Sequence, residues 1–198
     1  MVDCHTTELN HRIAAGWAKF QSFKSELAGK SYSVKSRLRL FDAVVSTTVL
    51  HGSCTWALTT GMAATLDTLR RKMLRFVLRI FRRRSSEDGQ LLLEDWPDYM
   101  RRSARRIEEY EGLYNLASWS SQARVRKWKF AGELARHGDG RWSRTVLDWF
   151  PANGNRHVGR PYTRWCDDIL RYAGDDWQTL AQSLEGWEGH GSGYLSSF

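Results

Sequence analysis

Asp167 and Asp168, in the stretch Trp165-Cys166-Asp167-Asp168, are the residues of this chain best suited by type to metal chemistry. Adjacent carboxylates can hold two divalent cations for phosphoryl transfer, provided that further carboxylates stand nearby. In such sites the pair occupies a tight turn between two hydrophobic strands. Here Ile169, Leu170 and Tyr172 continue at helical spacing, and Trp165, Ile169 and Tyr172 or Ala173 share one helix face. Asp167, Asp168 and Arg171 then lie elsewhere on the helix, with Arg164 four residues before Asp168. No companion carboxylate motif stands out, so the pair is expected to be solvated or salt-bridged helix acids.

Other catalytic constellations are equally thin. Pro97-Asp98 begins a nuclease pattern, but the Asp/Glu-x-Lys that must follow on a strand is missing. The six histidines are scattered, no nucleophile-base grouping can be defended from spacing, and neither a P-loop nor a Gly-x-Gly-x-x-Gly occurs. Cys4, Cys54 and Cys166 are odd in number and far apart, with no Cys-x-x-Cys pair, which argues against a disulfide framework or a zinc site and for a reducing, intracellular setting. No catalytic residue, metal or cofactor is expected.

Charge points to a different chemistry. The 198 residues carry a net charge of +8. Residues 30–84 hold twelve Lys/Arg against two acids, whereas residues 165–198 hold one Arg against six acids. A basic balance of this kind favours an anionic partner. The clearest carrier is the stretch from Met62 to Arg84. Leu66, Leu69, Met73, Phe76, Val77 and Ile80 fall on one arc at 100° per residue, and Arg71, Arg75, Arg79 and Arg82 fall opposite, with Arg83 and Arg84 extending the charge. Arginine chelates phosphate oxygens in a fork and releases counterions on binding, so such a stripe suits a nucleic-acid backbone. A solvated helix face or a membrane-surface helix would show the same stripe. Three further clusters tilt the balance towards nucleic acid: Arg101-Arg102-Ser103-Ala104-Arg105-Arg106, Arg124 to Lys129, and the series Arg156, Arg160, Arg164. The expected contacts are Arg71, Arg75, Arg79, Arg82, Arg83 and Arg84, then Lys127, Lys129, Arg160 and Arg164. Trp128 and Phe130 cannot share a helix face, so at least one of them is expected in the core.

The elements that must position these residues read as helices. Glu8–Ala28 is a first one and Gly29-Lys30 ends it. A second runs from an N-cap at Ser33 to His51-Gly52, with Val34, Leu38, Phe41, Val45 and Val49 on one face. The basic helix is third. A fourth starts at Pro97, a residue suited to a first helical position. A fifth spans 120–137. Shorter helices are expected near 143–149, 163–172 and 176–184, and the tail 188–198 reads as mobile. No segment shows sustained strand alternation, and the longest apolar runs are too interrupted to span a bilayer. The polar N-terminus lacks the apolar run, about 7–15 residues long, of a signal peptide. Ten tryptophans, eight of them from Trp96 onward, suggest a later half pinned by aromatics.

Three stretches, taken together, resemble the C-terminal part of LINE-type non-LTR retrotransposon polyproteins. Leu50-His51-Gly52-Ser53-Cys54-Thr55-Trp56, between two helices, is similar to the family's apolar-Tyr-Gly-x-x-x-Trp, with His51 in place of Tyr. Trp128, Gly132 and Arg136 match the family's Trp-x-x-x-Gly-His-x-x-Arg, with Glu133 in place of His. Gly159-Arg160-Pro161-Tyr162-Thr163-Arg164-Trp165-Cys166-Asp167-Asp168, with Trp177 downstream, is similar to Gly-Arg-Pro-x-x-Arg-Trp-x-Asp-Asp followed by Trp. The stretches stand in family order. The resemblance implies the region after the reverse-transcriptase palm, without the palm's catalytic aspartates or the family's endonuclease. It makes Asp167-Asp168 part of a non-catalytic motif.

The expectation is an all-α chain: residues 1–84 a thumb-like basic bundle, residues 85–187 a Trp-rich post-thumb unit. The boundary follows the composition shift at 84–91. Its expected work is sequence-independent binding of RNA, DNA or a hybrid template-primer duplex. A reverse-transcriptase palm is a second expected partner, and a membrane is not one. The alternative is a helical interaction module with no nucleic-acid role, whose apolar faces dock on another protein.

Overall fold

The computed structural model describes residues 4–87, 90–137, 142 and 164–197. Among these the chain is all-α apart from one small hairpin. The elements are α1 (Cys4–Ser22), α2 (Lys24–Leu27), α3 (Val34–Leu40), a π-helical stretch (Phe41–Ser46), α4 (Thr47–Val49), α5 (Thr60–Val77), β1 (Arg84–Glu87), β2 (Gln90–Leu93), α6 (Trp96–Tyr114), α7 (Trp119–Arg136), α8 (Asp167–Ala173), α9 (Trp177–Leu180) and α10 (Leu184–Ser196). Two compact units result. The first comprises residues 1–51 and 60–120, the second residues 52–59 and 121–198. The division thus falls at Ser120, inside α7, whereas composition placed a boundary at 84–91.

In the first unit the expected N-cap at Ser33 forms, its Oγ accepting from the Ser36 amide at 3.1 Å. The second helix is not uniform. At Phe41–Ser46 it widens to a π-helical turn, a distortion that re-aims side chains. Phe41 stacks on Trp119 with centroids 5.8 Å apart. The Trp119 indole N–H donates to Ser46 Oγ at 2.8 Å, and Ser46 donates in turn to Asp42. The buried indole thereby keeps its hydrogen bond. Phe20 packs edge-on against both Phe41 and Phe76, and Leu66, Met73 and Val77 of α5 fill the same core.

The basic helix is shorter than the periodicity predicts. It ends at Val77, because the Ile80 amide donates to Arg75 O and the Arg79 amide to Phe76 O, with Arg79 left-handed at φ 58°. That closing pattern usually uses glycine, so the sequence carries no stop signal there. After it, the stretch expected to be free of strand forms a two-stranded antiparallel hairpin, Arg84 opposite Leu93 and Glu87 opposite Gln90. The dipeptide between the strands, Asp88-Gly89, is the one that two-residue hairpin loops favour.

The second unit has an aromatic core of Trp128, Ile169, Trp177, Trp187 and Tyr194 around Ala131, Ala135 and Ala181. Its tail, expected to be mobile, is helical to Ser196 and opens on a Ser183 cap that accepts from the Gly186 amide at 3.2 Å. The helix expected near 143–149 lies outside the described residues, and the one expected from 163 begins at Asp167.

Candidate nucleic-acid interface

The reversal at Arg79 decides where the first unit's charge goes. Arg37, buried from helix α3, donates Nη1 to Val77 O at 2.5 Å, a cation set on the last carbonyls of α5. Burial, with Arg79 beside it, pulls the Arg37 guanidinium below its ordinary range. Arg79 points away from α5 to donate to Ala28 O at 3.2 Å. The chain then passes Glu94, which organises the next turn. Arg82 donates Nε to Glu94 O at 2.9 Å and lies over the Trp96 ring, 5.9 Å from its centroid. The Arg83 amide donates to Glu94 Oε2 at 3.0 Å. Arg102, from α6, forks onto the same carboxylate at 2.7 and 2.6 Å and reaches Phe81 O at 2.8 Å. The Arg102 hydrogen bonds and the Arg83 amide hold the Glu94 carboxyl at about 2, well below the usual carboxylate range.

These contacts bring two sequence-distant arginine series to one cleft of about 320 Å³, lined by Arg79, Arg83, Arg102 and Arg106 around Ile80 and Phe81. Among the described residues no ion pair ties the guanidinium of Arg79, Arg82 or Arg83 to a carboxylate. Arg106 meets Glu109 at 3.2 Å on the open surface, where such a pair holds it weakly.

The residues singled out from the sequence separate accordingly. Arg79 and Arg83 line the cleft and Arg82 stands beside it. Arg71 and Arg84 are exposed, and Arg75 is half-buried with Nε donating to Ser103 Oγ at 3.2 Å. They do not form the single helical stripe expected, because Arg79, Arg82, Arg83 and Arg84 all lie past the end of α5. Lys127 needs correction as a phosphate contact: it is buried, and its Nζ lies 2.7 Å from Asp168 Oδ1. Lys129 is exposed on α7. Arg164 is exposed and donates to Asp167 at 2.9 Å, an i, i+3 pair in place of the expected i, i+4 pair with Asp168. Arg160 lies outside the described residues. The sequence-based selection passed over Arg102 and Arg106, although their cluster was visible and their spacing, one helical turn apart, is a signal for a shared face.

In the second unit the described residues of two family-like stretches, Trp128, Arg136 and residues 164–168, make internal contacts. Trp128 and Trp187 stack with centroids 3.7 Å apart, and each indole N–H donates to the other's backbone carbonyl, at 3.0 and 2.8 Å. Arg136 Nη1 donates to Ala181 O at 3.0 Å. Trp165 Nε1 donates to Cys54 O at 2.7 Å, within the loop that turns at Gly52, φ 72°. Asp168 serves Lys127 and the Tyr194 hydroxyl, Asp167 serves Arg164, and the two carboxylates share no partner. Among the described residues no group of three or more His, Cys, Asp or Glu side chains could hold a metal ion. No helix there is long and apolar enough to cross a membrane.

Comparison with known proteins places the chain near mobile-element sequences. Over 193 residues, 91% of this chain, it is 28% identical to a transposon-derived protein of Caenorhabditis elegans. The chain spans 62% of that relative's length. No family profile and no solved structure matches.

Proposed function

We propose that the chain is the post-palm region of a LINE-type reverse transcriptase and that its first unit grips nucleic acid through the phosphate backbone, without reading sequence. The observation that carries this is the convergence of Arg79 and Arg83 with Arg102 and Arg106 on one cleft, with Glu94 as the anchoring carboxylate. Backbone grip needs forked cations on a rigid support and no base-edge contacts. The Schellman-type turn and the Glu94 hub supply the support. The similarity to a transposon-derived protein and the three family-like stretches support the assignment to such an element.

The test is fluorescence anisotropy of the full chain with mixed-sequence 20-nucleotide probes, single-stranded and duplex, between 50 and 200 mM salt. Affinity should fall steeply with salt and be indifferent to sequence. Reversing charge at both Arg83 and Arg106 (Arg83→Glu, Arg106→Glu) should weaken binding and lower the slope of log affinity against log salt by about 1–2, given roughly 0.7–0.9 per phosphate contact. No salt-dependent binding to either form, or a variant with unchanged affinity and slope, overturns the proposal. A docking module for another protein is the second reading, favoured by the exposed Leu92 and Leu93 of β2. It predicts association that survives high salt.

A further inference from the structure

We infer that the arginine cleft of the first unit is a site for single-stranded nucleic acid, with phosphates on Arg79, Arg83, Arg102 and Arg106 and unpaired bases on the rings of Phe81 and Trp96. The inference rests on the proposed backbone grip and specifies which form of nucleic acid the grip takes. Its basis is the exposure of two aromatic rings, one in the lining of the cleft and one outside that lining, under the Arg82 guanidinium. Phe81 lines the cleft and is 55% exposed; Trp96, at the start of α6, is 57% exposed.

The backbone at Phe81 and the ring of Trp96 are held by the framework that holds the arginines. The carbonyl of Phe81 accepts from Arg102, and the carbonyl of Ile80 accepts from the Tyr99 hydroxyl at 3.2 Å. Trp96 packs beside Tyr99, centroids 5.5 Å apart, and carries the Arg82 guanidinium over its ring. The Trp96 ring and the backbone that carries Phe81 are therefore anchored where the two side chains stand exposed. A single exposed apolar residue needs no explanation. Two exposed rings flanking a cluster of guanidinium groups match one chemistry closely: a polyanion whose flat faces are available for stacking. A duplex presents phosphates too, but its base faces are consumed in its own stack, so it would leave both rings in water. The charge of the cleft selects the polyanion over an apolar protein partner, and the rings select the single strand over the duplex.

The test measures affinities of the full chain for labelled oligo-dT and oligo-rU and for a mixed-sequence duplex of equal length, at fixed salt. The single strands should bind at least tenfold tighter than the duplex. Phe81→Leu and Trp96→Leu keep apolar bulk and remove the stacking face. Each should cost about tenfold on the single strands and change duplex affinity much less. Trp96→Phe, which keeps a ring, should recover most of the loss at that position and guards against a folding defect. Duplex binding as tight as single-strand binding, or leucine variants that bind single strands like the wild type, overturns the inference while leaving the backbone grip standing. In the second case the rings belong to a protein surface. Absence of binding to either form brings down the backbone grip itself.

Discussion

Lys127 and Asp168 meet inside the second unit with Nζ and Oδ1 2.7 Å apart, both side chains largely out of solvent. The other carboxylate oxygen, Oδ2, accepts from the Tyr194 hydroxyl at 2.8 Å. One carboxylate therefore ties α7, α8 and α10 together, and the Lys127 ammonium also lies 5.3 Å from the centre of the Trp165 ring. Burial pulls the Lys127 ammonium below the ordinary lysine range, against the opposing pull of Asp168. Burial, reinforced by Asp168, pushes the Tyr194 hydroxyl well above its ordinary range. A residue that sequence alone offers to phosphate is here the cation of an internal pair.

Breaking that pair from one side leaves a charge in the core. Asp168→Asn and Lys127→Met should each destabilise the chain by about 3–5 kcal/mol, the range for a buried pair that loses one partner. Chemical denaturation monitored by tryptophan fluorescence measures this. The salt dependence of nucleic-acid binding, read under conditions where the variants remain folded, should not change. A Lys127→Met protein of unaltered stability with a shallower salt slope would return Lys127 to the surface role.

Gly132 offers a second test, because its sign runs against the usual rule. In a helix interior Gly→Ala ordinarily stabilises by roughly 0.5–1 kcal/mol. Here a Cβ would stand 2.5 Å from Trp187 Cδ1 and 2.6 Å from Nε1, on a ring that cannot slide because its N–H is bound to Trp128 O and its face is stacked on Trp128. Gly132→Ala should therefore destabilise by about 1–3 kcal/mol, the cost of overpacking a filled core. An alanine variant more stable than the wild type in a urea melt would mean that the tryptophan stack yields.

The helices were legible where a cap or an apolar stripe announced them, as with Ser33, Pro97 and the Leu66-Met73-Val77 face. The end of α5 was not, because arginine at position 79 adopts the left-handed turn that glycine would advertise. The hairpin was missed for a related reason: strands of four residues are too short for alternation to register, and the composition shift at 84–91 marks a boundary there rather than a turn. At the candidate site, the charge was visible and its placement was not. Arg79 and Arg102 lie 23 positions apart in sequence, and only the turn at Arg79 and the hub at Glu94 bring their neighbourhoods together. Spacing was also blind to the difference between Lys127 and Lys129, which depends on where Asp168 arrives from another helix.

The hub at Glu94 gives the first unit an acid-side dependence. Its carboxyl lies at about 2 in the folded chain against an ordinary value of 4.5, mainly through its hydrogen bonds with Arg102 and the Arg83 amide. A folded-state value below the unfolded one means that, between the two, the unfolded chain binds more protons. The stability that Glu94 contributes is thus fully present above about pH 4.5 and is lost as pH falls from there towards 2. Glu94→Gln should remove that part of the dependence, so the stability curves of the two proteins should differ most at neutral pH and converge in acid. Because Glu94 also orients Arg102 and the Arg82–Arg83 turn, the variant should bind nucleic acid less well at neutral pH even though it has one negative charge fewer. A Glu94→Gln protein that binds more tightly, as simple charge counting requires, would show that the carboxylate only repels the phosphates and does not organise the cleft.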